Sequence, residues 1–326
     1  MTDLETRLGS AFRRHLGESH AIRKLRPLTG GAASSTWCFD SETEGRSLPL
    51  ILRTTQGAAT ISTGLDKVTE ARVQGAAYDA GIPAARILFV LQPEDELGEG
   101  FVMERLPGES IPQKILRAPG FAPARERMTS QCAQILAQIH RVECAGIQGL
   151  PELGIGAQIN RYEEMFRDSG EQLPVFELAL RWLRSHAAEP ASSRLVHGDF
   201  RNGNFLVDAE AGIGVVLDWE LAHRGDPMED LGWLCVNSWR FGQREKPVGG
   251  FGQREDLYAA YEAAGGGAVD PARVAFWELF GTFKWGVMCL YMTHGHLSGE
   301  ERSVERAAIG RRVSETEIDL LQLMQA

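Results

Sequence analysis

Polar side chains alternate with apolar runs in the segment from Leu195 to Asp208. Asp199 follows the first apolar run, and Asn204 comes just before the second one. A further apolar run, 214–217, ends at Asp218. Phosphoryl transfer needs a carboxylate that accepts a hydroxyl proton, and hard oxygen ligands for a cation. Asp199 suits the first role and Asn204 with Asp218 the second, and oxygen ligands without His or Cys favour Mg²⁺ over zinc.

The spacing of these residues resembles a known catalytic segment. The tripeptide His-Gly-Asp at 197–199, four further residues, Asn204 and a strand that ends in Asp218 are similar to the aminoglycoside phosphotransferase-like family, which is related to the protein kinases. The continuation 217–231 is also similar, most of all to the branch encoded near, or fused to, acyl-CoA dehydrogenases. The resemblance implies an α+β, protein-kinase-like bilobal fold and an ATP-dependent phosphotransferase with Mg²⁺ as cofactor, while GTP stays open as donor.

Two features distinguish the segment from that of a protein kinase. Asp226 follows Asp218 by only eight positions, which leaves no room for a long activation segment. Gly198 takes the place of the Arg that would bind a phosphorylated loop. We therefore expect a small-molecule kinase that is not controlled by loop phosphorylation. For the branch named above, the resemblance implies hydroxylated acids or their thioesters as acceptors.

Two N-terminal segments extend the resemblance to a nucleotide site. The first is a small-residue turn between predicted strands, similar to the family's nucleotide loop, where backbone N–H groups can reach phosphate oxygens. The second resembles the last strand and hinge, whose backbone would bond the adenine. The residues implied in nucleotide binding are Gly30, Gly31, Ser34 and Ser35 in the turn, and Met103, Glu104 and Leu106 in the hinge.

A cation and a carboxylate complete the expected nucleotide site. Arg53 ends a predicted strand, and Glu70 lies about seventeen residues later in a predicted helix. This spacing resembles the kinase ion pair between a strand cation and a helix carboxylate. Most kinases have Lys where Arg53 stands; Arg keeps the charge and can bind two phosphate oxygens, with a different geometry. The resemblance implies that Arg53, oriented by Glu70, holds the α- and β-phosphates.

Four residues around the segment are expected to support it. His197 is expected to hold the loop in shape rather than to react. Arg201 could contact the transferred phosphate, or it could face the solvent or the acceptor. Glu220 could approach a second metal position or bond to the loop. Asp230 is expected to open a helix as its cap and to brace the loop.

Hydrophobic periodicity predicts the elements that must position these residues. A strand-rich N-lobe, 1–105, is expected to bind the nucleotide, and a helical C-lobe, 106–326, to carry the catalytic loop and the substrate-binding helices. Two long helical patterns alternate in the last sixty residues. The N-lobe elements are a helix with Leu4, Leu8, Phe12 and Leu16 on one face, short strands within 24–53, a helix at 65–80, and strands at 87–91 and 101–103.

Composition limits the classes of partner. The chain has 326 residues with a formal net charge of −10, so it lacks the basic balance that nucleic acids and anionic membranes require. Its five cysteines include no Cys-x-x-Cys pair, which is typical of a reducing compartment. The polar residues 1–10 are unlike a signal peptide. We expect a cytoplasmic protein with a small-molecule acceptor, and its oligomeric state stays open.

Two alternative functions remain at this stage. An antibiotic phosphotransferase would act on an aminoglycoside or a macrolide, but a polycationic acceptor should meet a strongly acidic lobe. Residues 231–326 contain ten Lys and Arg against twelve Asp and Glu, which is nearly balanced. A nucleotide-binding pseudokinase that serves as an interaction module is favoured only by Arg53. The intact set of Asp199, Asn204 and Asp218 argues against it.

Overall fold

An antiparallel sheet dominates the N-terminal part of the chain. The computed structural model describes residues 3–28, 35–43, 45–55, 64–190, 192–299 and 303–325. The strands of this sheet are β1 (Ala21–Pro27), β2 (Ser35–Thr43), β3 (Arg46–Thr54), β4 (Ile87–Val90) and β5 (Gly100–Glu104). Their order is β1-β2-β3-β5-β4, and each neighbouring pair is antiparallel. Strands β3 and β5, which carry the expected phosphate cation and the hinge, are therefore neighbours inside the sheet.

The first helix, α1 (Asp3–Leu16), covers one face of this sheet. Its apolar residues recur every four positions, so they form one stripe along the helix. Leu8 and Phe12 are fully buried and pack with Phe39 and other apolar residues of the strands. The structure confirms the helix that the periodicity predicts.

The second helix, α2 (Lys67–Asp79), begins where a side chain caps it. The Asp66 carboxylate accepts a hydrogen bond from the backbone N–H of Thr69 at 2.8 Å, which satisfies one of the unpaired donors of the first turn. This cap fixes the positions of Lys67 and Glu70, and both side chains are buried. The first turn of α2 is therefore an anchored platform for two charged groups.

Helices form most of the chain after β5. Three of them lie before residue 170, namely α3 (Pro112–Arg117), α4 (Ala122–Ile139) and α5 (Ile155–Asp168). The others are α6 (Pro174–His186), α7 (Met228–Cys235), α8 (Arg254–Ala263), α9 (Pro271–Ser298), α10 (Val304–Gly310) and α11 (Val313–Leu323). The end of the chain thus differs from the two long helices that were predicted, because α9 ends at Gly299 in a left-handed conformation and two short helices follow.

The centre of the C-lobe is the 28-residue helix α9. Its residues between Val274 and Val287 are buried almost without interruption, on all sides of the helix. A helix that is apolar all round belongs inside a protein. Helices α5, α6, α7, α10 and α11 pack around it. Lys284 and Glu278 are the exceptions in composition, since both are charged residues at buried positions.

Two short ribbons lie between α6 and α7 and carry the loops with the polar residues of the predicted catalytic segment. They consist of β6 (Arg194–Val196) paired with β9 (His223–Gly225), and β7 (Phe205–Asp208) paired with β8 (Gly212–Val216). The loop 197–204 joins β6 to β7, and the loop 217–222 joins β8 to β9. Because the four strands form two pairs in this order, the two loops lie side by side. The ribbons therefore bring together polar residues that are far apart in the sequence.

The chain has the bilobal α+β fold of the protein kinase type that the sequence predicted. One hydrophobic core lies under the N-lobe sheet, and a larger one lies among the C-lobe helices. Among the described residues, no helix combines the length and the apolar character that a bilayer span requires.

Candidate active site

The Asp199 carboxylate is held by three hydrogen-bond donors. Oδ1 accepts from Arg201 Nε at 2.9 Å and from the indole N–H of Trp233 at 2.8 Å. Oδ2 accepts from Asn204 Nδ2 at 2.6 Å. The side chain is 13% exposed, so it is fixed in orientation and still reachable from the cleft. Such a carboxylate can accept a proton from a hydroxyl group that enters the cleft.

Asn204 is bonded to this carboxylate, and the loop that carries Asp218 is bonded to Asn204. Asn204 Nδ2 also donates to the backbone carbonyl of Asp199 at 3.0 Å, so its amide oxygen is the group that points away from Asp199. The backbone N–H of Leu217 donates to the Asn204 carbonyl at 2.8 Å and ties the two loops together. These hard oxygens fit Mg²⁺, which usually takes one or two protein ligands and completes its shell with phosphates and water. The described residues contain no cluster of three or more His, Cys, Asp or Glu that could hold a metal alone.

Asp218 has a left-handed backbone conformation, with φ 67° and ψ 66°. This conformation is uncommon for residues other than Gly, and it is often found at functional sites. Burial alone would raise the pKa of its carboxyl, but the charge of Arg53 and a hydrogen bond from it lower the pKa below its usual range. Asp218 therefore stays ionised and attracts a cation.

Arg53 makes the predicted ion pair and two further ones. Its Nε lies 3.2 Å from Glu70 Oε1. Its Nη2 donates to Asp218 Oδ1 at 2.6 Å and to Glu220 Oε2 at 2.7 Å. Sequence reasoning predicted the first partner and not the other two. The Glu220 carboxylate therefore pairs with a cationic side chain, and its role is not limited to a bond with the loop backbone.

Lys67 is a second cation in this place, and sequence reasoning missed it. Its Nζ lies 2.7 Å from Glu70 Oε2 and 3.3 Å from Glu220 Oε2. Burial raises the pKa of Glu70, and the charges of Arg53 and Lys67 act against that rise. The signal in the sequence is the three-residue step from Lys67 to Glu70, which places both on one helix face.

His197 and Asp230 hold the loop 197–204 from behind. His197 Nε2 donates to the Leu217 carbonyl at 3.1 Å, and its Nδ1 accepts from the backbone N–H of Asp199 at 3.2 Å. Burial lowers the pKa of this imidazole, so the neutral form that these bonds require is favoured. Asp230 accepts from the backbone N–H groups of His197 and Gly198 at 2.8 and 2.9 Å. These contacts match the expected scaffold and brace.

The expected helix-capping role of Asp230 is wrong. Helix α7 begins at Met228, and Asp230 is already its third residue. The side chain of Asp226 accepts from the Met228 N–H instead, at 3.1 Å. Asp230 turns toward the loop and toward His140, whose Nε2 lies 3.1 Å from its Oδ2. His140 comes from α4, and nothing in the sequence near the motif indicates it.

The Asp230 brace gives a prediction on acid stability. Burial would raise the pKa of Asp230, but the hydrogen bond and charge of His140 and the loop N–H groups lower it. A carboxylate with a lowered folded pKa stabilises the fold above its unfolded pKa of about 4, and this contribution is lost as pH falls through the folded pKa. We expect Asp230→Asn to reduce the free energy of unfolding by about 3 kcal/mol at pH 7, since bonds to a buried charge are lost.

Urea unfolding of both proteins between pH 7 and pH 3 measures this effect. The difference between wild type and variant should stay constant above about pH 5 and shrink below about pH 4. A difference that does not change down to pH 3 would show that the charge of Asp230 has no part in it.

Aromatic and cationic groups from the C-lobe lie around Asp199 and its loop. The Arg201 guanidinium lies 4.3 Å from the ring centroid of Trp239. Lys284 Nζ lies 4.6 Å from the ring centroid of Trp233 and donates to the Gly198 carbonyl at 3.2 Å. Trp233 is buried in the core and also donates directly to Asp199. The only sequence signal for Lys284 is a single cation within the otherwise uncharged stretch 279–293 of α9.

A cavity of about 340 Å³ is lined by residues that follow α7 and by residues of α8, α9 and α11. The 3₁₀ turn Asn237–Arg240 contributes two of its lining residues and also carries Trp239. Glu278 is paired with Arg240 and Arg254 at 2.7 Å each. The lining comprises Asn237, Arg240, Arg244, Arg254, Glu278, Thr282, Asp319, Gln322 and Leu323.

The described residues include only part of the expected nucleotide site. Gly30, Gly31 and Ser34 lie outside them, and Ser35 is the first residue of β2 rather than part of a turn. Met103 and Glu104 end β5, where the Glu104 N–H donates to the Arg86 carbonyl at 3.0 Å. The Leu106 N–H has no backbone partner within the described part of the chain.

Sequence comparison finds similarity to parts of longer proteins. Mouse acyl-CoA dehydrogenase family member 10 is 31% identical over 175 residues, which is 51% of this chain and 16% of that protein. Human acyl-CoA dehydrogenase family member 11 is 30% identical over 172 residues, which is 50% of this chain and 22% of that protein. The chain thus corresponds to a small part of these longer relatives.

Solved structures share the fold over nearly the whole chain. A Ralstonia eutropha protein described as an aminoglycoside phosphotransferase has a TM-score of 0.76 at 21% identity, with 98% of each chain covered. A choline/ethanolamine kinase family protein from Mesorhizobium loti has a TM-score of 0.62 at 23% identity, with 93% of this chain and 88% of that one covered. The model of the phosphotransferase enzyme family matches residues 24–277, so the chain belongs to that family.

Proposed function

We propose that this protein transfers the γ-phosphate of ATP to a hydroxyl group of a small molecule. The observation that carries the proposal is the Asp199 carboxylate, which Arg201, Asn204 and Trp233 hold by hydrogen bonds, with the loop of Asp218 bonded to Asn204. The N-lobe, 1–105, would bind the nucleotide, and the C-lobe, 106–326, would provide the base and the acceptor site. Arg53 would hold the α- and β-phosphates.

The base and the cation ligands have separate tasks in this proposal. Asp199 would accept the proton of the acceptor hydroxyl as its oxygen bonds to the γ-phosphorus, and the bond from that phosphorus to the ADP oxygen would break. Asn204 and Asp218 would hold Mg²⁺, whose charge offsets the negative charge that develops on the phosphates. Arg201, which is bonded to Asp199 and stacked on Trp239, would face the acceptor.

The cavity beside Trp239 supports an anionic acceptor, such as a hydroxy acid or a hydroxyacyl thioester. Its lining contains three Arg side chains against two carboxylates. Glu278 accounts for Arg240 and Arg254, while the side chain of Arg244 forms no hydrogen bond or ion pair among the described residues and acts on Asp319 only through its charge. An unpaired guanidinium can bind a carboxylate or phosphate with two parallel hydrogen bonds. A polycationic aminoglycoside would be repelled there.

Phosphate transfer over a panel of acceptors tests the proposed function. The purified protein is incubated with Mg²⁺ and ATP or GTP, and with hydroxy acids, hydroxyacyl-CoAs, aminoglycosides, macrolides, choline or sugars. We expect ATP-dependent phosphorylation of one of the first two classes. Transfer to an antibiotic instead would contradict the acceptor class, and nucleotide binding without any transfer would favour a pseudokinase.

Arg244 should affect the affinity for the acceptor alone. We expect Arg244→Gln to raise the KM for an anionic acceptor about 10-fold, since a charge-assisted hydrogen bond contributes about 1.5–3 kcal/mol. The kcat and the KM for ATP should change little. Arg181→Gln is the matched control, because Arg181 is an exposed residue of α6 outside the cavity. Equal KM values for both variants would exclude the cavity as the acceptor site.

A further inference from the structure

Five charged side chains meet where the N-lobe touches the loop 217–222. They are two cations and three carboxylates, which we call the five-charge cluster: Arg53, Lys67, Glu70, Asp218 and Glu220. Its formal charge is −1. Lys67 and Glu70 are buried, and the other three side chains are between 14% and 31% exposed. Buried charges are stable only when they stay paired, so every charge here needs its partner.

The two cations divide the carboxylates unequally. Arg53 contacts all three of them, including Asp218 at 2.6 Å. Lys67 contacts Glu70 and Glu220, at 2.7 and 3.3 Å, and does not contact Asp218. Lys67 is also held in place by the Asp66 cap of α2. Arg53 thus occupies Asp218, the expected metal ligand, whereas Lys67 is anchored on Glu70 and Glu220.

This arrangement conflicts with the active state unless Arg53 moves. In the proposed function Asp218 holds the metal and Arg53 holds nucleotide phosphates, so their mutual bond has to break. Without Lys67, movement of Arg53 would leave Glu70 and Glu220 with no counter-charge within the cluster. An unpaired carboxylate in a buried place is strongly unfavourable.

We propose that Lys67 is a positioning residue, which keeps Glu70 and Glu220 paired while Arg53 turns from Asp218 to the nucleotide phosphates. The inference rests on the proposed function. Lys67 touches neither reacting atoms nor the expected metal ligands, and it acts through the two carboxylates. The role is specific to Lys67 because of the charges that remain in the cluster when Arg53 turns away. With Lys67 present, two carboxylates keep one anchored cation after Arg53 has turned.

Nucleotide binding without an acceptor tests the inference, because it needs no turnover. We expect Lys67→Gln to weaken the binding of a fluorescent ATP analogue with Mg²⁺ about 10- to 100-fold, since the released carboxylates would lose their last partner. Lys67→Arg, which keeps the charge, should stay within about 3-fold of wild type. Lys24→Gln is the matched control, because Lys24 is a 78% exposed partner of Asp40 in the same sheet.

A double-mutant cycle distinguishes pairing from mere stabilisation of the fold. Glu220→Gln removes one carboxylate, so the cluster of the double variant again has the formal charge −1 of the wild type. We expect Lys67→Gln to weaken binding by less than about 3-fold in the Glu220→Gln background. Thermal unfolding without nucleotide is followed in parallel, since a structural role would lower the Tm without this relief.

The outcomes separate the inference from the function on which it rests. Wild-type protein that binds no nucleotide would overturn the proposed function. Wild-type binding together with an unaffected Lys67→Gln variant would overturn the role of Lys67 alone. The same would follow if the loss in Lys67→Gln were as large in the Glu220→Gln background as in the wild type.

Discussion

Asp199→Asn lowers the kcat for phosphate transfer by about 10³-fold, because the variant has no carboxylate to accept the hydroxyl proton. An amide also fits its surroundings poorly. Arg201, Trp233 and Asn204 all donate to this side chain, and an asparagine side chain turns an NH₂ group toward one of them in either orientation. We therefore expect the free energy of unfolding to fall by about 1–3 kcal/mol as well.

Two measurements separate the loss of the base from the loss of stability. Equilibrium binding of Mg²⁺-ATP should remain within about 3-fold of wild type, since one donor that has lost its acceptor leaves the fold intact. Asp208→Asn is the control on the same ribbon, because its carboxylate is exposed and only accepts from the N–H groups of Glu210 and Ala211. An Asp199→Asn variant with more than a tenth of wild-type kcat would exclude Asp199 as the base.

The loop residues could be predicted from the sequence because their chemistry is local. His197, Asp199 and Asn204 lie within eight positions, and Asp218 follows after one hairpin. Phosphate transfer requires these residue types, and two short apolar runs are enough to indicate the strands that carry them. The order of such patterns along the chain also predicted the bilobal α+β fold, since strand patterns dominate before residue 105 and helical ones after it.

The groups that hold these residues could not be predicted, because they arrive through packing of distant helices. His140 lies 90 positions from Asp230, and Lys284 lies 86 positions from Gly198. Their types are common in surface helices, so composition gives no hint of burial. The shape of the C-lobe decides which faces of α4 and α9 meet the loop, and periodicity alone leaves that open.

Arg53 illustrates a different limit. Its spacing from Glu70 predicted their ion pair, which is local to the N-lobe. Its bonds to Asp218 and Glu220 span 165 and 167 positions and depend on how the two lobes approach each other. The motif describes the enzyme with its nucleotide bound, so it does not indicate the partners of Arg53 in the absence of nucleotide. Those partners depend on which charged side chains the fold brings together around Arg53.

Gly198→Ala should be the most damaging single substitution in the loop 197–204. Gly198 has φ +78°, a conformation that costs an alanine about 1–2 kcal/mol. A Cβ at this position would also overlap the Leu221 carbonyl oxygen and lie 3.1 Å from the Leu221 Cβ. The loop cannot shift to relieve the overlap, because Asp230 binds the Gly198 N–H and Lys284 binds its carbonyl. We expect a total loss of about 4 kcal/mol of stability and a large fall in kcat.

Gly17→Ala is a matched control that isolates the overlap from the backbone conformation. Gly17 has φ +77°, and a Cβ there would meet no atom within 4 Å. Urea unfolding of this variant should show a loss of about 1 kcal/mol, with kcat unchanged. The difference between the two variants then measures how tightly the loop 217–222 packs against the loop 197–204. Equal losses would mean that the two loops can separate at Gly198, and that the position of Asp199 does not depend on their contact.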